Sequence, residues 1–182
     1  TSGLARTGYD EVTLTSLSTA DYSDVSSLVE GIMDDSEADG GPTVSVSLPS
    51  LRVDAFGVSI AAQLQRAKRS GLTFAPEAGT WRMRQVINKL VREEDLYEAV
   101  DAAYSQGWQR VKLYFLIGLP SETDEDTLGI ARLAANVAEI GKRHNKRASC
   151  TASVGGFVPK PHTPFQWFGQ NTTVELQRKV NL

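Results

Sequence analysis

Cysteine is almost absent from this 182-residue chain, in which Cys150 is the only one. A single cysteine excludes an internal disulfide framework, and it excludes a metal site built from several cysteines of this segment. Any such cluster needs ligands from elsewhere. Cys150 itself lies inside a predicted strand, which favours a buried structural thiol over a nucleophile.

Long apolar runs and an excess of basic charge are also missing. No stretch is apolar and long enough for a membrane span, and the first residues lack the pattern of a signal peptide, so we expect no membrane partner and a cytoplasmic location. The net charge is -3 and the pI is about 5.4. Such a chain has no global basic field for nucleic acid, and no DNA partner is indicated.

What the chain does contain is a hydrophobic content of 41%, enough for one sizeable core, and a steady alternation of strand and helix patterns. This alternation predicts an α/β fold with a parallel sheet, because right-handed crossovers place successive strands side by side. A section of a barrel and a doubly wound sheet both remain open at this point. The predicted strands are residues 11–17, 43–48, 72–75, 111–117 and 148–154, and the predicted helices are residues 21–33, 59–70, 83–90, 93–106 and 124–142.

The stretch from residue 111 to residue 126 is central to the functional argument. Its apolar first half predicts a strand covered on both faces. Gly118 and Pro120 break the run, and Ser121 and Thr123 each precede an aspartate by three positions, as at a self-capping helix start. Ligands bind where such a strand passes through a glycine turn into a helix. The alternative is a βα turn without a function.

Two charged side chains follow other predicted strands. Ser50 and Arg52 come after the second strand, where a guanidinium group can hold a carboxylate or a phosphate; the alternative is a surface arginine paired with Asp54. Glu77 ends the third strand and can accept hydrogen bonds from a ribose or an ammonium group. Its alternative is a loop carboxylate paired with Arg82 or another nearby arginine, Arg84.

Residues 155–167 contain three prolines among aromatic and polar residues, a composition that excludes a helix or a central strand. We therefore expect a stiff extended loop that leaves the rim of the sheet. Phe157, Val158, Phe165 and Trp167 can form a flat apolar wall for an aromatic ring. The alternative is a hydrophobic plug that closes the end of a barrel.

These stretches occur in a telling order. Glu77-Ala-Gly-Thr80, Val86-Ile-Asn-Lys89, Phe115-Leu-Ile-Gly-Leu-Pro-Ser-Glu122 and Phe157-Val-Pro-Lys-Pro-His-Thr-Pro-Phe165 together resemble the radical S-adenosylmethionine (radical SAM) family, in particular its B12-associated and methylthiotransferase-like branches. In those proteins Glu-Ser-Gly-Ser, Asn-Arg or Asn-Lys, and Gly-Leu-Pro-Gly-Glu-Thr follow one another in this order. The resemblance covers residues 11–167.

The resemblance implies a partial (β/α)6 TIM-like barrel over residues 1–170, in which the five predicted strands are the second to the sixth. Residues 171–182 are then the start of a truncated C-terminal helix or a linker. The implied activity is that of an Fe-S oxidoreductase, which cleaves S-adenosylmethionine reductively at a [4Fe-4S] cluster and so forms a 5'-deoxyadenosyl radical. Cobalamin is a further implied cofactor of the longer protein, and RNA or a protein is the implied substrate.

The resemblance also implies roles for particular residues around S-adenosylmethionine. Glu77 is expected to contact the ribose or the amino-acid part, with Ser50 and Arg52 also facing the cofactor. Leu116 and Gly118, with Pro120 in the same turn, are expected on the adenine side, where Val158 also meets the ring. Ser16 and Ser18 stand where the family often has a Gly-Gly-Glu that holds the methionyl ammonium, a motif absent here.

The sequence departs from the family in one further respect, because it lacks the Cys-x3-Cys-x2-Cys triplet that binds the cluster. In the family this triplet follows the first strand, which would place it before Thr1. We therefore expect an excised segment that is inert alone. Two alternatives remain open: a cysteine-poor module that binds a nucleotide or a partner without redox chemistry, and a phosphate-binding barrel enzyme that uses the Gly118 turn.

Overall fold

The computed structural model describes residues 2–15, 22–38, 44–47 and 71–182. Within them helices and strands alternate for most of the chain, as the sequence predicts. The helices are α1 (Ser2–Thr7), α2 (Val25–Ala38), α3 (Trp81–Val86), α4 (Glu93–Ser105), α5 (Asp124–His144) and α6 (Thr173–Val180), and the strands are β1 (Glu11–Thr13), β2 (Ser45–Ser47), β3 (Leu72–Glu77), β4 (Arg110–Ile117) and β5 (Ser149–Gly156).

The strands form two parallel sheets. In one, β1 pairs with β2, and in the other the order is β3-β4-β5. This confirms the α/β prediction with parallel strands. The three strands of the larger sheet neighbour each other in chain order, as strands of a barrel do, and their carboxyl ends meet at one rim. Residues that follow β3, β4 and β5 are therefore brought close together.

The core lies between one face of the larger sheet and its helices. Along β4, Val111, Leu113 and Phe115 are almost fully buried and join the apolar stripes of α4 and α5 in one continuous cluster. The opposite face of β4 is open enough to leave Tyr114 42% exposed. The expectation that this strand is covered on both faces is therefore wrong for the second face, which is partly exposed.

Local capping explains where the elements differ from the predicted ranges. Helix α3 begins at Trp81, two residues before its predicted start, because the Thr80 side chain accepts a hydrogen bond from Met83 N–H and caps the helix. The predicted helix at residues 59–70 lies outside the described residues. Among the helices that are described, none combines the length and apolar character needed to cross a membrane.

Candidate functional site

The site begins at the end of β3, where the backbone leaves its regular path. The pairing of β3 with β4 shifts between Phe74 and Glu77, and Glu77 has a φ of +68°. Left-handed backbone is unfavourable for a glutamate and is retained where the surroundings hold it. Glu77 is thereby placed at the rim.

The partner of the Glu77 carboxylate is Lys89, whose Nζ lies 3.8 Å from Oε1. The proposed pairing with Arg82 or Arg84 is wrong, because Arg82 binds Asp126 and buried Arg84 binds Glu93. Burial raises the pKa of Glu77 above its usual value of 4.5, and the positive charge of Lys89 partly opposes this. The site therefore contains a half-buried carboxylate beside an ammonium group.

Sequence reasoning did not place Lys89 in the site. A left-handed residue ends α3, since Asn88 has a φ of +56° and asparagine tolerates this conformation better than most residues. Lys89 N–H then bonds to the carbonyl of Arg84 at 2.7 Å, which turns the chain back toward β3. The feature of the sequence that could have indicated Lys89 is the Asn88-Lys89 pair, which ends the second of the four motifs.

A cavity of about 410 Å³ opens beside Glu77 on the carboxyl half of the sheet. Its walls are mostly apolar, with the Glu77 carboxylate and two hydroxyl groups as the polar groups of side chains. A pocket of this size and character suits a small organic ligand. The lining residues are Ala75, Glu77, Tyr114, Phe115, Leu116, Ser153, Val154 and Gly155. Of the predicted site residues, the cavity thus brings together Glu77 and Leu116.

Gly118 follows β4 but faces the C-terminal segment. It has a φ of +78°, and a Cβ added there would lie 3.0 Å from Leu176 of α6 and 3.3 Å from Asn171. Its N–H donates to Glu122 Oε2 at 2.7 Å, and the same oxygen lies 2.9 Å from Lys179 Nζ. A phosphate at this amide would have to displace a buried carboxylate, so the proposed phosphate site at the Gly118 turn is wrong.

Helix α5 begins at the cap that the three-residue spacing predicted. The Thr123 side chain accepts from Asp126 N–H, and the Asp126 carboxylate accepts from Thr123 N–H at 2.9 Å. Ser121 is not the cap; it lies in the preceding turn with a φ of +63°. Pro120, in the same turn, is half-buried.

The proline-rich segment after β5 divides into a buried and an exposed part. Phe157 is buried with Met83 and contacts the half-buried Phe165 edge-to-face, with ring centroids 6.0 Å apart. Trp167 is 87% exposed and Val158 is 53% exposed. Phe165 therefore packs against a small apolar cluster, whereas the exposed Trp167 does not, and closure of a barrel end stays a prediction. An adenine contact for Val158 stays a prediction, and so does one for Gly118.

Four further predicted site residues, Ser16, Ser18, Ser50 and Arg52, lie outside the described residues. Within residues 2–15, 22–38, 44–47 and 71–182, no group of three or more His, Cys, Asp or Glu side chains is arranged to hold a metal ion.

The single thiol does not compensate for the missing ligands of a cluster. Cys150 is half-buried against the core, and burial raises its pKa to about 11, so it is protonated at neutral pH. Iron–sulfur clusters are held by several thiolates. A [4Fe-4S] cluster therefore does not fit the residues of this chain, whereas the Glu77 cavity combines one carboxylate with mostly apolar walls.

Comparison with known proteins supports the resemblance at the level of the superfamily. The Radical SAM superfamily matches residues 2–134. An uncharacterized protein from Methanocaldococcus jannaschii is 39% identical over 123 residues, which are 68% of this chain and 26% of that protein. Coproporphyrinogen III oxidase (HemN) from Escherichia coli, described as a radical SAM enzyme, has a similar fold with a TM-score of 0.54 and 15% identity, over 75% of this chain and 29% of that one.

The chain thus spans between a quarter and a third of the length of these two proteins. Its parallel α/β architecture is similar to that of the radical SAM barrel of HemN. Since the superfamily match covers well over half of the residues, the chain belongs to the radical SAM superfamily.

Proposed function

We propose that this chain is the part of a radical SAM enzyme that binds S-adenosylmethionine, and that the cavity beside Glu77 is its binding site. The observation that carries the proposal is the half-buried Glu77 carboxylate, which lies on a mostly apolar cavity of about 410 Å³ and 3.8 Å from Lys89. The proposal includes inertness of the chain alone, because the cysteine ligands of a cluster are not among its 182 residues.

The charges of the site complement those of the cofactor. S-adenosylmethionine carries an ammonium group and a carboxylate on its amino-acid part and hydroxyl groups on its ribose. Glu77 can accept hydrogen bonds from the ammonium or the hydroxyls, and Lys89 can donate to the carboxylate. Leu116 offers an apolar surface for the adenine side. When bound to a reduced cluster, the cofactor supplies the radical that removes hydrogen from a substrate.

A second candidate is a module that binds a nucleotide or a partner without redox chemistry, and the observation that favours it is that Cys150 is the only cysteine among the 182 residues. The two candidates differ in their ligand. Preference for S-adenosylmethionine over adenosine monophosphate supports the first, because only the former has the amino-acid part that meets Glu77 and Lys89.

The finer assignment to the B12-associated or methylthiotransferase-like branch, with RNA or protein as substrate, rests on the motif resemblance.

Calorimetric titration of the 182-residue chain with S-adenosylmethionine tests the site. We expect Glu77→Gln to weaken binding about tenfold, the effect of losing one hydrogen bond to a charged group. The matched control is Glu139→Gln, which neutralises a carboxylate that is exposed on α5, where it pairs with Arg143.

The control variant should bind as the unchanged chain does. Equal affinity of the Glu77→Gln variant and the unchanged chain would exclude Glu77 from the site. Absence of any binding by the unchanged chain would exclude the proposed function of this segment.

A further inference from the structure

Asp126 has more contacts than a helix cap requires. Its carboxylate accepts from Thr123 N–H at 2.9 Å and from the Thr123 hydroxyl at 2.7 Å, and these two bonds complete the cap of α5. It also accepts from the Thr80 hydroxyl at 2.5 Å and from the Arg82 guanidinium. Thr80 lies 46 positions away in the chain, so these two bonds join the turn after β3 to the start of α5.

The same turn rests directly on the backbone of α5. A Cβ on Gly79 would lie 2.4 Å from the carbonyl oxygen of Asp126 and from the nitrogen of Ile130, and a Cβ on Gly129 would lie 2.8 Å from the carbonyl oxygen of Gly79. Because a side chain at position 79 or 129 would collide with the neighbouring backbone, this close approach requires glycine at both positions. The chain two residues beyond Glu77 is thus seated on the helix that Asp126 caps.

Arg82 extends the connection to the second rim turn. Besides Asp126, its guanidinium donates to the carbonyl of Ser121 at 2.9 Å. One buried carboxylate, 3% exposed, is therefore linked to the turns that follow both β3 and β4. Because a buried anion with several donors has a defined geometry, its loss should release both turns.

We propose that Asp126 is a positioning residue of the Glu77 site, because its buried carboxylate holds the turn after β3 against α5 and so directs the Glu77 side chain. The inference rests on the proposed function, in which Glu77 binds S-adenosylmethionine. Asp126 is buried and is not among the residues that line the cavity. It acts through Glu77.

The test compares Asp126→Asn with Asp95→Asn by calorimetric titration with S-adenosylmethionine. Asp95 is a matched control, because it occupies the same third position of α4 and also accepts from the N-cap N–H, at 3.1 Å, but that bond is exposed. We expect Asp126→Asn to weaken binding about tenfold and Asp95→Asn to leave it unchanged.

A double variant distinguishes positioning from a general loss of structure. If Asp126 acts through Glu77, the Glu77→Gln/Asp126→Asn variant should bind about as weakly as Glu77→Gln alone, because residues that act as a unit are not additive. Additive losses would overturn the proposal. Unchanged affinity of Asp126→Asn, in an experiment in which Glu77→Gln binds weakly, would also overturn the proposal. That result would leave the proposed function of the chain intact.

Two further measurements cover the remaining outcomes. If Asp126→Asn does not fold, Arg82→Gln removes the charged donor of Asp126 without touching the cap of α3 or of α5 and should weaken binding, whereas unchanged affinity would overturn the proposal. If the unchanged chain does not bind the cofactor, the proposed function fails, and hydrogen exchange of residues 77–84 decides the positioning. Faster exchange in Asp126→Asn than in Asp95→Asn supports it, and equal exchange overturns it.

Discussion

Glu77 combines two unfavourable features at one residue. Its left-handed backbone costs about 1–3 kcal/mol for a residue other than glycine, and its half-buried carboxylate has only a loose ion pair with Lys89 in compensation. Stability alone does not favour a glutamate at this position. Such local conflicts are expected where a side chain serves binding.

The first prediction concerns the protonation of Glu77. Because burial raises its pKa in the folded state above 4.5, the folded chain binds this proton more tightly than the unfolded chain. Ionised Glu77 therefore lowers stability above the folded pKa, and this cost disappears as the pH falls to 4.5 and below. We expect Glu77→Gln to unfold at a higher urea concentration than the unchanged chain at pH 7, with a free energy of unfolding that is larger by less than about 1 kcal/mol. At pH 4 the two proteins should unfold at the same urea concentration.

The control for this measurement is again Glu139→Gln, whose side chain is 73% exposed. It should show no such pH-dependent gain over the unchanged chain. A Glu77→Gln variant that is less stable than the unchanged chain at pH 7 would show that the Lys89 pair outweighs the cost of burial.

The second prediction concerns the contact between Gly79 and α5. Gly79→Ala places a methyl group 2.4 Å from two backbone atoms, which cannot move aside as a flexible side chain can. Overpacking of this kind costs about 1–3 kcal/mol. We expect that loss in urea unfolding, together with weaker binding of S-adenosylmethionine. Gly169→Ala is the control, since nothing lies within 4 Å of its added Cβ; equal stability of the two variants would contradict the close contact.

At the scale of elements, α6 is attached to the rim by two ion pairs in different environments. Lys179 and Glu122 are buried, with side chains only 4% and 2% exposed, and Glu122 also bonds to Gly118 N–H. Arg178 meets Asp124 and Glu175 at the surface. Leu176 of the same helix packs close to Gly118. The helix thereby supports the turn that follows β4.

The third prediction follows from this difference in burial. Lys179→Met leaves the Glu122 carboxylate buried without its cation, which costs about 3–5 kcal/mol. Arg178→Met removes only exposed pairs and should shift the urea midpoint far less. The double variant Glu122→Gln/Lys179→Met should recover part of the loss, because no unpaired charge remains. Similar midpoints for Lys179→Met and Arg178→Met would contradict the burial of the pair.

At the scale of the whole molecule, local patterns could be predicted from the sequence and long-range partners could not. The parallel strands, the Thr123 cap and the place of Glu77 at the end of β3 follow from periodicity and from spacings of a few residues. The partners of Glu77 and Asp126 depend on how separate βα units pack. Arg82 and Arg84 are nearer to Glu77 in the chain than Lys89 is, and only the folded structure shows that Lys89 is the cation beside the carboxylate.

The superfamily assignment and the cysteine content together define the last prediction. The superfamily uses a cluster that needs several thiolates, whereas this chain supplies only one thiol, that of Cys150. We expect anaerobic incubation with ferrous iron, sulfide and a reductant to give no stoichiometric cluster after desalting, and the same iron content in Cys150→Ser. S-adenosylmethionine should still bind to both proteins, because Cys150 does not line the Glu77 cavity. Stoichiometric iron and sulfide that disappear in Cys150→Ser would contradict this, since they would require Cys150 to be ionised and to hold a cluster shared between chains.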